Sequence, residues 1–242
     1  MNLVIDEGNT VSKIALFAGE DLFSCVETTH DGMLHQLQAL ISEHPVEKAI
    51  YSTVSDNRSI DSFLRKNIHH VIILDETTAL PVRILYKTPK TLGYDRVAGI
   101  VGANYLRPKQ NILVIDAGTA ITYDLVDAGG NFRGGNISLG LQMRFKALHH
   151  FTAKLPLLQP DGSFADLGDS TETAIRSGVI NGLLYEIDGY INELKKKYDS
   201  LFVFLTGGDT FFLLERLKNS IFADTKLLIK GLNRILNYNA EL

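Results

Sequence analysis

Two aspartates that lie about half the chain apart stand in closely similar surroundings. Asp6 belongs to the run Leu-Val-Ile-Asp-Glu-Gly over residues 3–8, and Asp116 to the run Leu-Val-Ile-Asp-Ala-Gly over residues 113–118. Glycine lets backbone N–H groups approach phosphate oxygens closely, and a neighbouring carboxylate can hold Mg²⁺, usually through water. Because phosphoryl transfer depends on positioning phosphates and neutralising their charge, the two runs suit a nucleotide triphosphate site.

Neutral donors and one cation follow the first glycine. Asn9, Thr10 and Ser12 can donate hydrogen bonds to phosphate oxygens, and Lys13 supplies a positive charge. The chain lacks both the Gly-x-x-x-x-Gly-Lys-Ser/Thr motif and the Gly-x-Gly-x-x-Gly loop of protein kinases. The pattern therefore excludes a P-loop enzyme and indicates a phosphate site built from strand hairpins.

A glycine pair near the C-terminus offers a second kind of surface. The sequence Thr206-Gly207-Gly208 follows an apolar run, and a purine ring or a ribose could lie against it without meeting a side chain. The same pair could also serve only to end a strand, so on its own it is a weak sign of nucleotide binding.

A third aspartate, Asp95, precedes an apolar stretch over residues 97–106 that is rich in alanine and glycine and lacks proline. This stretch predicts a buried helix with Asp95 at or near its N-terminus, where free N–H groups favour a carboxylate. Two interpretations follow. Asp95 either only caps the helix, or it is a carboxylate that orients a hydroxyl group during phosphoryl transfer.

Strands and helices alternate along the chain, which predicts an α/β fold. A second strand follows each aspartate run, over residues 12–17 and 121–126, so each half opens with a hairpin. The repeat predicts two similar lobes, residues 1–111 and 112–242, each a mixed sheet flanked by helices, with a cleft between them. The alternative is that such runs are simply common in parallel sheets. Further periodicity predicts strands over 48–54, 71–74 and 201–205, and helices over 32–41, 59–66, 97–106, 141–149, 174–198, 211–218 and 231–237.

The composition is that of an ordinary globular protein, with 45% apolar and 21% charged residues among 242 and a net charge of −4. This balance gives no reason to expect nucleic acid, and no apolar run is long enough to span a membrane. Cys25 is the single cysteine, so no internal disulfide can form, which fits a reducing cytoplasm. The adjacent pairs His69-His70 and His149-His150 diverge on any strand or helix, and we interpret them as surface features rather than metal sites.

Four blocks, in this order and spacing, resemble those of the type III pantothenate kinases within the actin-like ATPase superfamily. They are residues 6–13 (Asp-Glu-Gly-Asn-Thr-Val-Ser-Lys), 93–96 (Gly-Tyr-Asp-Arg), 116–122 (Asp-Ala-Gly-Thr-Ala-Ile-Thr) and 206–208 (Thr-Gly-Gly). The similarity extends over essentially the whole chain, and the second and third blocks together are more specific than any single motif. The resemblance implies two ribonuclease-H-like lobes and the ATP-dependent phosphorylation of pantothenate to 4′-phosphopantothenate, the first step of coenzyme A biosynthesis.

The resemblance also implies a role for each matching residue. Asp95 would be the base that accepts the proton of the pantothenate hydroxyl. Asp116 would hold a monovalent cation, K⁺ or NH₄⁺, and Asp6 would hold Mg²⁺ through water. Pantothenate would be bound by Tyr86, Gly93, Tyr94, Asp95, Arg96 and Thr171. ATP would be bound by Asp6, Glu7, Gly8, Asn9, Thr10, Val11, Ser12, Lys13, Thr119, Gly207 and Gly208. The family further implies a cytoplasmic homodimer with the pantothenate pocket near the subunit interface.

The chain departs from the family pattern at one position. Leu139 stands where the family usually has proline, in the glycine-rich run 134–140, and the loss of proline is expected to loosen this loop. Two other functions are compatible with the fold: a non-catalytic accessory protein of transcriptional activation, and a phosphotransferase of the same superfamily that acts on a sugar or acetate. The intact run 93–96 argues against the first, and the length of the chain argues against most sugar kinases.

Overall fold

The computed structural model describes residues 1–8, 11–53 and 58–242, with Arg58 represented by its backbone. These residues form two compact units. The first comprises residues 1–108, 130–133 and 226–242, and the second comprises residues 109–129 and 134–225. The C-terminal segment therefore belongs with the N-terminal part of the chain, whereas the sequence-based boundaries assign all of 112–242 to one lobe.

Eleven strands and seven helices make up the described part of the chain. In chain order they are β1 (Asn2–Glu7), β2 (Ser12–Ala18), β3 (Asp21–Thr28), α1 (Met33–Glu43), β4 (Lys48–Thr53), α2 (Arg58–Asn67), β5 (His70–Ile73), β6 (Arg83–Ile84), α3 (Tyr94–Leu106), β7 (Ile112–Ala117), β8 (Ala120–Val126), β9 (Asn131–Leu139), α4 (Leu141–His150), α5 (Thr171–Lys195), β10 (Phe202–Thr206), α6 (Thr210–Leu214), β11 (Phe222–Ala223) and α7 (Leu227–Ala240). A single 3₁₀ turn, Pro89–Thr91, precedes α3.

The sheet of the first unit has the strand order β3-β2-β1-β4-β5. β1 pairs antiparallel with β2 and parallel with β4, so it lies at the centre of the sheet. Side chains alternate between the two faces of a strand, which places the odd-numbered residues of β1 on one face and the even-numbered residues on the other. The odd-numbered face packs in a core with α1 and α2, and this core includes Leu3, Ile5, Leu37 and Leu64.

Helix α7 covers the even-numbered face of β1 and holds α3 beside it. Asn2 of β1 donates a hydrogen bond to Asn233 of α7 at 2.8 Å. A Cβ at Gly231 would lie 1.9 Å from the carbonyl oxygen of Ala98, and one at Gly102 would lie 2.5 Å from a carbonyl oxygen of α7. The two helices therefore approach each other through glycines, and α3 is fixed on the side of the sheet that carries Asp6.

The second sheet repeats the arrangement of the first. Its order is β11-β10-β7-β8-β9-β6, and β9-β8-β7-β10-β11 corresponds to β3-β2-β1-β4-β5. β7 pairs antiparallel with β8 and parallel with β10, as β1 does with β2 and β4. β6 joins residues 131–132 of β9, a contact within the first unit. The predicted duplication and the α/β class with two mixed sheets are confirmed.

Helix α5 supplies most of the helical side of the second core, through Ile175, Val179, Ile180, Leu183, Leu184, Ile187 and Ile191. Ser170 is its N-cap, because its hydroxyl accepts a hydrogen bond from the Thr173 N–H at 3.2 Å. Among the described helices, none combines the length and the apolar character that crossing a bilayer requires.

Several segments differ from the expectation, and no strand was predicted at β6 or β11. Residues 131–139 form the strand β9, although glycine weakens the strand pattern there. Helix α6 covers residues 210–214, and α7 is longer than predicted. At Leu139, the last residue of β9, Arg144 donates to the carbonyl oxygen at 2.9 Å and to the Ser138 hydroxyl at 3.1 Å.

Candidate active site

The first hairpin places Asp6 at the end of β1, half-buried, with Lys13 of β2 and Ser52 of β4 as its register partners. Burial and the negative charge of Asp95 raise the pKa of Asp6 to about 6, while Lys13 and Ser52 act in the opposite direction. Asp95 therefore lies close enough to Asp6 for the two carboxylates to repel each other. A bound cation would relieve this repulsion and favour the charged form of Asp6.

The other residues of the first block take different positions. Glu7 lies on the opposite face of β1 and is only 2% exposed. Ser12 is fully buried, and its hydroxyl has no hydrogen-bond partner among the described residues. A Cβ at Gly8 would lie 3.1 Å from the Val11 carbonyl oxygen, so the backbone is close-packed there. Two predicted ATP-binding residues of this block lie outside the described residues, namely Asn9 and Thr10.

Asp95 lies in the first turn of α3, and the N-cap position belongs to Gly93. The exposed Asp95 carboxylate accepts a hydrogen bond from the Arg96 N–H through Oδ1 at 2.8 Å. A Cβ at Gly93 would lie 2.4 Å from the same oxygen, so glycine is needed for this position of the carboxylate. Asp95 thus satisfies one backbone N–H of the helix and remains accessible to a substrate.

Arg96 points into an aromatic cluster and is 7% exposed. Its guanidinium carbon lies 5.7 Å from the centre of the Tyr86 ring and 5.8 Å from that of Phe132, a cation–π arrangement. Phe132 is fully buried and belongs to β9, whose pairing with β6 brings Tyr86 beside it. Sequence reasoning missed Phe132, because it lies outside the four blocks and its only signal is an aromatic residue after a glycine turn.

Tyr94, predicted to contact pantothenate, is half-buried at the start of α3. Burial and the charges of Asp75 and Glu76 raise the pKa of its phenol. The hydroxyl therefore stays protonated at neutral pH and can donate a hydrogen bond.

The second hairpin places Asp116 in the same position that Asp6 has in the first. Asp116 is half-buried at the end of β7, and its register partners are Thr122 of β8 and Thr206 of β10. The Thr122 hydroxyl is buried and has no hydrogen-bond partner among the described residues. Asp6 has a lysine beside it where Asp116 has a threonine, so the second hairpin offers oxygen atoms rather than a fixed cation.

Two glycines bring backbone close to the second hairpin. A Cβ at Gly140 would lie 2.2 Å from the Gly118 carbonyl oxygen, and one at Gly207 would lie 2.5 Å from Asp116 Oδ1. Gly207 also has a φ of 95°, which side chains rarely adopt. Gly140 and Gly207 therefore permit backbone approaches that a side chain at either position would prevent.

The remaining predicted residues of the second unit are exposed. Gly208 and Thr119 are both open to solvent, and a Cβ at Gly208 would meet no described atom within 4 Å. Thr171 is the first residue of α5 and is also exposed. Asp209 follows the glycine pair, and burial raises the pKa of its carboxyl. Gly208 therefore faces open space, whereas Gly207 is packed against Ala117 and Asp116.

The two half-buried aspartates offer different ligands to a cation. Asp6 and Asp95 repel each other, and Mg²⁺ prefers one or two carboxylates together with phosphate and water. Asp116 and the unpartnered Thr122 hydroxyl offer oxygen ligands of the kind that a hard cation takes. Within the described residues, no three His, Cys, Asp or Glu side chains form a preassembled metal cluster.

Comparison with known proteins identifies relatives of this chain. A family model for type III pantothenate kinase matches residues 2–193. A type III pantothenate kinase from Bacteroides fragilis (strain YCH46) is 54% identical over 242 residues, 99% of this chain and 98% of that protein.

Two solved structures share the fold. A protein described as a conserved putative Baf family transcriptional activator from Campylobacter jejuni has a TM-score of 0.65 at 24% identity, over 99% of this chain and 100% of that one. A ROK family glucokinase from Streptomyces griseus, in complex with glucose and AMPPNP, has a TM-score of 0.53 at 11% identity, over 98% of this chain and 99% of that one. At these identities the two structures support the actin-like fold alone.

Proposed function

The chain belongs to the type III pantothenate kinase family, and we propose that it transfers the terminal phosphate of ATP to the primary hydroxyl of pantothenate, with Asp95 as the base. The product is 4′-phosphopantothenate, and the reaction is the first step of coenzyme A biosynthesis. The observation that carries the assignment of Asp95 is its position beside Asp6, exposed, in the first turn of α3.

The two carboxylates have different surroundings and therefore different roles. Asp6 is half-buried with Lys13 and Ser52 as register partners, which suits a ligand of Mg²⁺ and a neighbour of phosphate. Asp95 is exposed, which suits a group that meets an incoming hydroxyl. Phosphoryl transfer asks the base mainly to orient the alcohol, because proton transfer can come late.

The acceptor pocket follows from the residues that neighbour Asp95. Arg96, held between Tyr86 and Phe132, offers the positive charge that would attract the carboxylate of pantothenate. Tyr94 offers a protonated hydroxyl, and Gly93 leaves room for the Asp95 carboxylate. Thr171, exposed at the start of α5, is a further residue proposed to bind pantothenate.

ATP binding and its cations are assigned to the two hairpins. Residues 6–13 and Thr119 would bind phosphates, and Gly207 and Gly208 would lie against the adenosine. Asp116 with Thr122 would hold K⁺ or NH₄⁺, which would add a positive charge where the second hairpin has no lysine. Activity that requires K⁺ or NH₄⁺, and that needs a higher concentration of the cation in Thr122→Val, would support the assignment. Full activity with Na⁺ alone would contradict it.

We also propose that the enzyme is a homodimer, and one face of α5 supports this. Gly178, Gly182 and Gly189 lie on one side of the helix together with the exposed Tyr185, and a Cβ at any of the three glycines would meet no described atom within 4 Å. Each glycine destabilises a helix by about 1 kcal/mol relative to alanine. Since packing within the described chain does not require them, they suit the close approach of a second copy. The test is the oligomeric state measured by analytical ultracentrifugation. We expect Gly182→Arg to sediment as a monomer and the control Glu43→Arg, on α1, to sediment as a dimer.

A cytoplasmic location is proposed for the same enzyme. The single Cys25 supports it, because the chain forms no internal disulfide that an oxidising compartment would maintain. Cell fractionation that recovers the protein outside the cytoplasmic fraction would contradict this.

The test of the function is ADP release from ATP, Mg²⁺ and K⁺, with and without pantothenate. We expect turnover that depends on pantothenate and that falls at least about a hundredfold in Asp95→Asn, while the exposed control Asp21→Asn keeps full activity. Turnover that survives in Asp95→Asn would move the base to another residue. A folded protein that responds to a sugar or acetate instead, or to no acceptor, would support one of the two alternative functions.

A further inference from the structure

The two acids at the end of β1 have opposite environments. Asp6 lies on the face that carries α7, whereas Glu7 continues the face of Leu3 and Ile5, which packs under α1 and α2. Glu7 is 2% exposed, so its carboxylate is almost completely shielded from solvent. Transfer of an ionised carboxylate into a protein core is unfavourable by several kcal/mol unless hydrogen bonds compensate it.

Among the described residues, Tyr51, Thr53 and His30 hydrogen-bond to the Glu7 carboxylate and compensate its burial. Tyr51 donates its phenol hydroxyl to Oε2, and Thr53 donates its hydroxyl to the same oxygen at 2.6 Å. His30, which precedes α1, places Nδ1 2.9 Å from Oε1. Burial and the hydrogen bond to Glu7 raise the pKa of Tyr51, so this phenol stays a donor. The carboxylate therefore ties β1 to β4 and to the segment before α1.

The second hairpin shows that the fold does not need an acid here. Ala117 occupies the position in β7 that Glu7 occupies in β1, and Ala117 is 2% exposed within an apolar core. The strands pair in the same directions in the two hairpins, but the parallel pairing reaches Glu7 in the first and ends at Asp116 in the second. The first hairpin also has the lysine beside Asp6, and with it the predicted role in binding phosphate.

Glu7 immediately precedes Gly8, whose backbone is close-packed against the Val11 carbonyl oxygen. A displacement of Glu7 is therefore transmitted to the start of the predicted phosphate-binding backbone and, through the same strand, to Asp6. Misplacement of a binding group by about 1 Å can change rates by two orders of magnitude.

We propose that Glu7 is a positioning residue of the first phosphate hairpin, which acts by accepting hydrogen bonds from Tyr51, Thr53 and His30 and makes no side-chain contact with the nucleotide. The inference rests on the proposed function of this hairpin in ATP binding. It replaces the direct role that the motif alone suggests for the Glu7 side chain.

Two substitutions separate hydrogen bonding from volume. Glu7→Leu removes every acceptor, whereas Glu7→Gln keeps an oxygen for Tyr51 and Thr53 and an N–H that a neutral His30 can accept. We expect Glu7→Leu to raise the KM for ATP at least about tenfold and to leave the KM for pantothenate within about twofold. Glu7→Gln should restore the KM for ATP to within about threefold of the natural enzyme. Glu43→Gln, on the exposed end of α1, is the matched control.

A purely structural role would lower the melting temperature without this selective change in the KM for ATP. Equal changes in both KM values, unchanged KM values in a folded Glu7→Leu, or no recovery in Glu7→Gln would each overturn the proposal. If Glu7→Leu does not fold, Tyr51→Phe is the second test, because it removes one donor to Glu7. It should raise the KM for ATP about threefold, and an unchanged KM for ATP would also overturn the proposal. Calorimetric binding of Mg²⁺-ATP needs no turnover, so it tests Glu7 even if pantothenate is not the acceptor.

Discussion

Replacement of Asp6 by asparagine should stabilise the free protein and abolish its activity. Asp6 is the half-buried acid at the end of β1, and burial and the charge of Asp95 raise its pKa to about 6. The charged form is therefore unfavourable until a cation or a nucleotide complex binds beside it. The asparagine side chain has nearly the same shape and no charge, so Asp6→Asn removes the unfavourable term and the predicted Mg²⁺ ligand together.

The magnitude and sign follow from the pKa. A rise from the ordinary value of 3.8 to about 6 corresponds to about 3 kcal/mol at 1.36 kcal/mol per pKa unit. Because the folded-state pKa is the higher one, protonated Asp6 contributes stability below about pH 4, and this contribution is lost as the pH rises through 6. At pH 4 the natural protein and Asp6→Asn should be about equally stable. At pH 8 the variant should unfold with about 3 kcal/mol more free energy, or melt about 5–10 °C higher.

The assay is thermal and urea unfolding at pH 4, 6 and 8, without nucleotide. Asp21→Asn is the control, since Asp21 is an exposed acid in the same sheet and its replacement should have the same small effect at all three pH values. Asp95→Asn should lower the pKa of Asp6 and reduce, without removing, the loss of stability between pH 4 and 8, because burial is the larger cause. Mg²⁺-ATP should raise the melting temperature of the natural protein at pH 8 and leave that of Asp6→Asn unchanged.

Two results would refute the reasoning. A variant that is less stable than the natural protein at pH 8 would mean that the charged Asp6 is favourably paired in the free protein. A stability gain of the same size at pH 4 and pH 8 would mean that the gain comes from the side-chain amide rather than from the removal of a charge.

Three further substitutions test the elements around the site. Gly231→Ala should destabilise the protein by about 1–3 kcal/mol in urea unfolding, because the new Cβ would lie 1.9 Å from a carbonyl oxygen of α3. Unchanged stability would mean that α3 and α7 can separate freely. Gly93→Ala should lower kcat about tenfold or more with little change in melting temperature, because its Cβ would displace the Asp95 carboxylate; an unchanged kcat would contradict the placement of the base. Phe132→Leu should raise the KM for pantothenate severalfold and spare the KM for ATP, since Phe132 packs on Arg96. The KM for the uncharged analogue pantothenyl alcohol should rise less. An equal rise in the KM for both acceptors would show that Arg96 does not bind the carboxylate of pantothenate.

Local sequence patterns predicted the hairpins and the helix that carries Asp95. The apolar β-branched runs before Asp6 and Asp116 form the central strands β1 and β7, and each pairs with the strand that follows it. Asp95 lies within the first turn of α3, as the alanine- and glycine-rich run after it indicated. These features depend on neighbours in the sequence, so a linear pattern contains them.

Contacts between distant segments could not be predicted in this way. Phe132 reaches Arg96 only because β9 pairs with β6, and α7 joins the first unit only because Gly102 and Gly231 let it pack on α3. Periodicity shows that α7 has an apolar side but not which helix that side meets. The glycines of β9 also weaken its strand signal, so no strand was predicted over residues 131–139, where Phe132 lies.

The pair Asp6 and Glu7 shows where a motif stops being informative. The motif assigns both acids to ATP, because they are adjacent and precede the same glycine. Strand geometry places their side chains on opposite faces, so one carboxylate lies near Asp95 and the other lies in the core with Tyr51. A bound cation would stabilise the charged form of Asp6, whereas hydrogen bonds already compensate the burial of Glu7. In the first phosphate hairpin the two acids are therefore predicted to have different roles: Asp6 interacts with the cation that arrives, and Glu7 holds the backbone that binds phosphate.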